Sequence, residues 1–399
     1  MKPLTFLCIS CEFKGVDFLK ACKALGNKVY LVTAKTTQDK PWPRESIAEI
    51  FYMDEVRHGV WNMEHFVAGL AYLMRSNKVH KIVALDDFDV EEAAELREHF
   101  RLPGMGQTTA RHFRDKLAMR LKASEAGLRV PEFTALFNDE EINEFTRRVK
   151  PPYMVKPRFE AAARGIRKVQ TAEELWQVLH ELGEKRHNYL AEQFRPGGIY
   201  HVDALTADGK PVFTRVSQYL NTPWEVAHGG GIFRSAVSEY GSKEDEELTR
   251  FNTAVMKAFG MMYSASHTEF IRCHEDGQYY FLETSSRVGG AYLAEMVESS
   301  SGINLWAEWA KIENAAIRGA TYKLPKVRKD YAGIITSLSR QKEPDYSTFT
   351  DAEIAWTLKK DHHISLIVKS PSRERVLELL DQYMLRIRDE YYATLPMKK

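Results

Sequence analysis

Apolar runs of strand length alternate with amphipathic stretches through residues 1–112, and this alternation constrains the chain more than any other feature. Leu4 to Ile9 is one such run. Val16 to Leu25 puts Leu19, Cys22 and Leu25 on one side of a helix, and Gly26 follows as a left-handed stop. Lys28–Thr33 and Lys81–Leu85 read as further strands, the latter ending in Asp86-Asp87 before a helix over Val90–Phe100. Strands separated by helices pair in parallel through right-handed crossovers. Cys11-Glu12-Phe13-Lys14-Gly15 stands where a dinucleotide fingerprint would follow the first strand, so no such site is expected there.

With 399 residues the chain has room for about two to four domains of ordinary size. Lys+Arg 56 against Asp+Glu 55 argues against a generally basic nucleic-acid or membrane-surface protein. No apolar run approaches the ~18 residues of a membrane span. Leu4–Ile9 is too short for a secretory signal, since Glu12 and Lys14 follow at once. Cys8, Cys11, Cys22 and Cys273 do not make a disulfide framework, and Cys8-x-x-Cys11 has no second Cys/His pair at ligand spacing. A reduced, cytoplasmic setting is expected.

Leu102-Pro103-Gly104-Met105-Gly106 marks the first boundary. A long helix is expected over Thr108–Ala126, stopped by Gly127 and Pro131. A β–β–α–β unit follows, with strands at Tyr153–Pro157, Gly165–Gln170 and Asn188–Phe194. Its helix opens on the capping box Thr171-Ala172-Glu173-Glu174. Tyr200–Thr206 and Pro211–Tyr219 form a hairpin turning at Asp208-Gly209, ahead of a helix over Lys243–Phe259. The last stretch carries strands near Ala332–Leu338 and Ile364–Val368, then an amphipathic helix with Val376, Leu380, Tyr383 and Ile387 on one side.

The segment from His267 to Arg287 carries the most chemistry. If Glu275-Asp276-Gly277 is a three-residue hairpin loop, His274 pairs with Gln278, Glu269 stands opposite Glu283, and His267 lands opposite Ser285. Paired carboxylates repel, and hard oxygens of this kind suit Mg²⁺ or Mn²⁺. A two-residue turn would instead throw the glutamates onto opposite faces. From these residues alone, a metal site and a salt-bridged edge both stand.

Other candidates carry little singly. A lysine such as Lys156 at a strand end is usually just solvated, and Lys116 among Arg114, Arg120 and Lys122 fits a charged outer face equally well. His228-Gly229-Gly230-Gly231 could approach phosphate but reads better as a surface loop. His201 and Asp203 alternate on one strand face.

Placed in order, these pieces resemble the ATP-grasp superfamily of ADP-forming carboxylate–amine ligases over Gly104 to Leu305. The resemblance rests on Asp115-Lys116…Arg120…Gly127…Val130-Pro131, Tyr153-Met-Val-Lys156-Pro157, Leu190-Ala-Glu192-Gln193-Phe194, His267-Thr-Glu269-Phe270, and Phe281-Leu-Glu283-Thr-Ser285-Ser-Arg287-Val-Gly289-Gly290. Ser301-Gly302-Ile303-Asn304-Leu305 is similar to a usual helix start in that family. Within it, L-amino-acid ligases and relatives of the carbamoyl-phosphate-synthase type are most alike.

The resemblance implies an α/β parallel-sheet domain followed by an ATP-grasp fold of two α+β lobes with a C-terminal α/β extension. The corresponding units are 1–112, a small lobe 113–195, a large lobe 196–318 with the metal-binding hairpin, and 319–399 packing on it. It implies ATP with Mg²⁺ or Mn²⁺. Lys116 and Lys156 would meet phosphate oxygens, amides of the loop Arg158–Gly165 would cover them, and Gln193, Phe194 and Arg195 would take adenine. Glu192 or a nearby carboxylate would take ribose, and His201 also falls in the nucleotide set. Glu269, Glu283 and Ser285 would hold the metal, and Arg287 would steady the attacking carboxylate or the acyl phosphate.

Ser285 stands where the family usually has Asn, and Ala161-Ala162-Ala163 where glycines are common, which suggests a stiffer loop. The implied reaction joins a carboxylate to an amine through an acyl phosphate. The alternatives are a nucleotide-binding, catalytically weak protein with a scaffold or sensing role, and phosphoryl transfer to another acceptor. Arg158, Arg164, Trp224, His228, Arg234 and Tyr292 are further pocket candidates. No nucleic-acid or membrane partner is expected, and a homodimer through the first domain is common among relatives.

Overall fold

The computed structural model describes residues 2–161, 163–221, 226 and 231–394. Trp224, His228, Gly229, Gly230 and Ala162 lie outside the described residues.

Near the N-terminus a four-stranded parallel sheet runs in the order Glu49–Met53, Lys28–Ala34, Thr5–Ser10, Lys81–Ala84. Its second-formed direction reverses beside Thr5–Ser10, leaving a crevice at the carboxyl ends of that strand and Lys81–Ala84. Successive side chains of Thr5–Ser10 enter two cores. Phe6 and Cys8 pack with Phe18 and Leu19, while Leu7 and Ile9 pack with Phe66 and Leu70. The first core also takes Trp309 from the helix Leu305–Ile317, with Phe18 and Trp309 ring centroids 5.0 Å apart. A buried Lys81–Glu313 ion pair at 2.7 Å ties the helix Leu305–Ile317 to the strand Lys81–Ala84 as well.

The expected helix Thr108–Ala126 is two helices, Gln107–Arg111 and Lys116–Glu125. Asp115 interrupts it, because its side chain accepts from the Leu117 amide at 3.0 Å and caps the second helix. Lys116 therefore opens a helix rather than lying on the outer face of one.

A four-stranded sheet runs Phe133–Ala135, Tyr189–Gln193, Tyr153–Pro157, Arg167–Val169. The helices Asp139–Arg148 and Ala172–Leu182 both pack on the face bearing Tyr153, Val155 and Ala191. Strand alternation turns Lys156 and Glu192 to the other face.

The largest sheet has eight strands in the order Tyr279–Ser285, Ser264–Cys273, Gly197–Ala207, Lys210–Tyr219, Phe233–Val237, Tyr331–Leu338, His363–Ser370, Ile354–Thr357. Of the strands in the last 80 residues, Tyr331–Leu338 hydrogen-bonds directly onto Phe233–Val237 and the others add beyond it. Ile354–Thr357, not foreseen from the sequence, forms the edge. Val376, Leu380, Tyr383 and Ile387 of the helix Arg373–Glu390 are buried in the adjoining core. Gly333 admits that helix closely, since a Cβ there would lie 2.6 Å from Leu380.

The hairpin reaches the expected pairing by a different route. Cys273 bonds Gln278, closing a four-residue loop, and Arg272 pairs with Tyr279. A bulge at Leu282 inserts one residue and restores Glu269 opposite Glu283 and His267 opposite Ser285. The extra residue also switches faces. Phe281 is fully buried with Phe270 above Phe259, whereas Glu283, only two residues on, lines the cleft.

Candidate active site

Between the two lobes and the first sheet lies a cleft of about 820 Å³. Its roof carries Lys156 and Glu192. Glu192 is almost wholly buried, with Oε1 ion-paired to Lys156 and Oε2 accepting from Arg120 Nε and Nη2 at 3.0 and 2.7 Å. Burial alone would raise its pKa, but the two cations outweigh burial and hold it below the ordinary carboxylate range. Arg120 is fully buried and donates its remaining arm to the Leu282 carbonyl at the bulge. Both oxygens of Glu192 are engaged by cations of its own lobe, and it is Arg120 that reaches across to Leu282 of the other.

At the floor, Lys116 lies 2.9 Å from Glu283 and donates to the Glu160 carbonyl at 2.7 Å. Desolvation opposes ionisation of Glu283, and Lys116, Lys156 and Arg120 together overcome it. Glu269 accepts from the Tyr219 hydroxyl at 2.9 Å. Ser285 Oγ is buried without a partner, beside the glutamate pair in the sheet register. Two carboxylates and a free hydroxyl on one face form an all-oxygen donor set of the kind a hard divalent cation takes. The residues present therefore fit Mg²⁺ or Mn²⁺.

Gln193, Phe194 and Arg195 line the cleft beyond the lysines. Lys168 sits 3.5 Å from the Phe194 ring centroid, Arg195 sits 4.6 Å from that of Tyr280, and Gln193 Oε1 is buried without a partner. The loop after Pro157 is pinned at its base, where Arg158 grips Asp115 and donates to the His187 carbonyl at 3.1 Å. Ala163 there takes a φ of 55°, which costs a non-glycine residue about 1–2 kcal/mol.

Arg287 comes off the hairpin and meets the first sheet. Its Nε donates to Asp87 Oδ2 at 2.9 Å, its Nη2 to the same oxygen, and its Nη1 to the Val288 carbonyl at 2.8 Å. Of the five N–H groups of a guanidinium, three are engaged and two remain for an oxyanion in the cleft. Asp87 Oδ1 is buried and unpartnered, and Lys14 pairs with neighbouring Asp86 at the crevice.

Ten of the eleven expected site residues line this one cleft. His201 does not. It is fully buried in the sheet, with Nδ1 2.8 Å from Asp203 Oδ2 and Nε2 2.8 Å from Ser235 Oγ, so it has no atom to offer a nucleotide. Of the pocket candidates, Arg164 lines the cleft, Arg234 pairs with Asp381 at 2.5 Å, and Tyr292 packs on Trp356 with centroids 5.0 Å apart. Sequence reasoning missed Asp87 and Tyr219, and it left a charged outer face open for the helix segment that carries Arg120. The Asp-Asp pair at a strand's carboxyl end was the one available pointer to Asp87.

No family model matches the chain. Among curated proteins, the L-arginine-specific L-amino acid ligase of Bacillus subtilis is 28% identical over 234 residues, 56% of this chain and 55% of that protein. A D-alanine--D-alanine ligase of Laribacter hongkongensis is 34% identical over 208 residues, 51% of this chain and 66% of that protein. The chain thus spans little more than half the length of the first of these relatives. Among solved structures, the L-amino acid ligase from Bacillus licheniformis superposes over the whole of both chains with a TM-score of 0.77 at 17% identity. An Aspergillus clavatus carboxyaminoimidazole ribonucleotide synthase complexed with ATP superposes over 97% of this chain and 98% of its own with a TM-score of 0.73 at 12% identity. Fold, ordered cleft residues and these relatives agree: the chain has the ATP-grasp fold and is similar in sequence to carboxylate–amine ligases.

Proposed function

We propose that the protein is an ATP-dependent ligase that joins the carboxylate of a small acid or amino acid to an amine and releases ADP and phosphate. One observation carries this reading: Glu269 and Glu283 oppose each other on the cleft face, with Lys116, Lys156 and the free edge of Arg287 around the same cavity. Lys116 and Lys156 would exchange glutamate for phosphate oxygens when ATP enters. Glu269, Glu283 and the Ser285 hydroxyl would hold Mg²⁺, which when bound neutralises phosphate charge and polarises the γ-phosphoryl group.

The substrate carboxylate, held by the two unused N–H groups of Arg287, attacks the γ-phosphorus. The bond to the β,γ-bridging oxygen breaks and ADP leaves. The amine then attacks the acyl carbon, phosphate leaves with the C–O bonding electrons, and the amine gives up a proton. Phe194 and Lys168 offer an apolar and cationic seat for the base, with Gln193 and Arg195 beside it. An acid with its own amino group fits the adjoining Asp86–Asp87 crevice, in keeping with the amino-acid ligases among the relatives.

No helix among the described residues is long and apolar enough to cross a membrane. The four cysteines are free and buried, in keeping with a reducing, cytoplasmic setting. Amino-acid pairs incubated with ATP and Mg²⁺ are expected to release phosphate only when both partners are present, and mass spectrometry would identify the amide. ATP binding with no turnover across a broad panel would favour a nucleotide-binding protein that does not ligate.

A further inference from the structure

Behind the glutamate pair the sheet buries a line of polar groups that the proposed chemistry leaves unused. Asp203 is fully buried and each of its oxygens faces an imidazole: Oδ2 lies 2.8 Å from His201 Nδ1, Oδ1 2.9 Å from His267 Nδ1. His201 points away, toward Ser235. His267 Nε2 points forward, 3.4 Å from the Tyr219 hydroxyl and 3.7 Å from Glu269 Oε1. Alternation explains the line, since Asp203 and His201 share a strand face two residues apart, as do His267 and Glu269, and Asp203 pairs with His267 across strands.

The turn after Arg287 closes over the same pair. A Cβ on Gly289 would lie 2.8 Å from Asp203 Oδ1 and 2.9 Å from His267 Nδ1, so only glycine permits this approach. His201, Asp203 and His267 have the atoms of a metal site, but the two Nδ1 atoms are already spent on the Asp203 oxygens.

We propose that Asp203 is a positioning residue for the glutamate pair. It fixes the His267 ring, whose Nε2 backs the Tyr219 hydroxyl at 3.4 Å, and that hydroxyl holds Glu269 by one oxygen, Oε1, at 2.9 Å. The other oxygen, Oε2, is then presented to a divalent cation in one orientation. The carboxylate torsion of a glutamate is otherwise broad and twofold, so an unheld Glu269 would spend much of its time misaligned. The inference rests on the reading of Glu269 as a metal ligand.

Manganese(II), titrated into the full chain with a non-hydrolysable ATP analogue and followed by electron paramagnetic resonance, reads the ion's affinity without turnover. Asp203→Asn keeps the volume but offers one acceptor to two imidazoles, and is expected to weaken manganese binding by about 10- to 100-fold. Analogue binding in EDTA should stay within about twofold, because an outer partner of a ligand acts on the ion and not on the base or ribose. Ser235→Ala frees only the far end of His201 and should leave manganese affinity nearly unchanged. Should Asp203→Asn fail to fold, His267→Asn keeps a donor to Asp203 while removing the group near Glu269, and must show the same loss. Unchanged manganese affinity in either folded variant overturns the proposal, as does an equal loss of metal-free analogue binding. A wild-type chain that binds analogue but no manganese would remove the metal reading itself, and this inference with it.

Discussion

Two lysine–glutamate pairs border the cleft, and they are built differently. Lys156 and Glu192 are sealed, with side chains 13% and 2% exposed, and Arg120 supplies Glu192 with a second cation. Lys116, at 11%, is as covered as Lys156, but its partner Glu283 stands at the open side with its side chain 36% exposed. Breaking a buried pair strands a charge in low dielectric, while an exposed carboxylate regains water and is worth little as a partner. Arriving phosphates can therefore draw Lys116 from Glu283 at small cost and leave the glutamate for a cation. Lys156 can leave only because Arg120 stays behind to hold Glu192. The first pair helps hold Arg120 where it reaches across to Leu282, and the other is the working surface.

Substitutions can break this contrast. Glu283→Gln removes charge without volume, and turnover should fall about a thousandfold with loss of the ion's several kcal/mol of charge stabilisation, while the urea midpoint hardly moves. Activity within a few-fold of wild type would show that Glu283 does no more than salt-bridge. Arg120→Met should do the reverse to stability, lowering it by about 3–5 kcal/mol in equilibrium urea unfolding, because Glu192 and the Leu282 carbonyl lose a shared partner. An unfolding curve superposable on wild type would show that Arg120 does not brace the lobes.

Lys156→Met should weaken ATP binding by about 10-fold, roughly the worth of one charge-assisted contact, in a calorimetric titration. Unchanged affinity would leave Lys156 a partner of Glu192 and nothing more.

The smallest effect expected is in pH. Burial lowers the pKa of His267, but Asp203 and Glu269 outweigh burial and raise it from 6.5 to about 9. A raised folded-state value contributes stability that is full below about pH 6.5 and lost as pH climbs through about 9. The urea midpoint should thus fall between pH 7 and 9.5, and Asp203→Asn should flatten that fall.

Local rules carried a good part of this molecule into the sequence. The helix Lys243–Phe259 begins at Ser242, which accepts from the Asp245 amide at 3.1 Å, and ends at Gly260 with φ 78°, both readable as caps. Turn chemistry gave the Asp208-Gly209 hairpin, where both residues take positive φ. Asp115 is the exception: periodicity carries one helix through it, whereas its side chain caps a second. The Glu269–Glu283 pairing was reached through two departures that cancel, a loop one residue longer than counted and a bulge at Leu282.

The residue types, their order and their strand or helix setting were therefore in the sequence, because capping, turns and alternation act within a few residues of the chain. Tertiary structure alone decided that the last strands extend the central sheet, that Arg120 turns inward to Glu192, that His201 is sealed against Asp203, and that Asp87 reaches Arg287 from 200 residues away. Charge pairing and burial at such separations depend on which surfaces meet, and no periodicity in the chain records that.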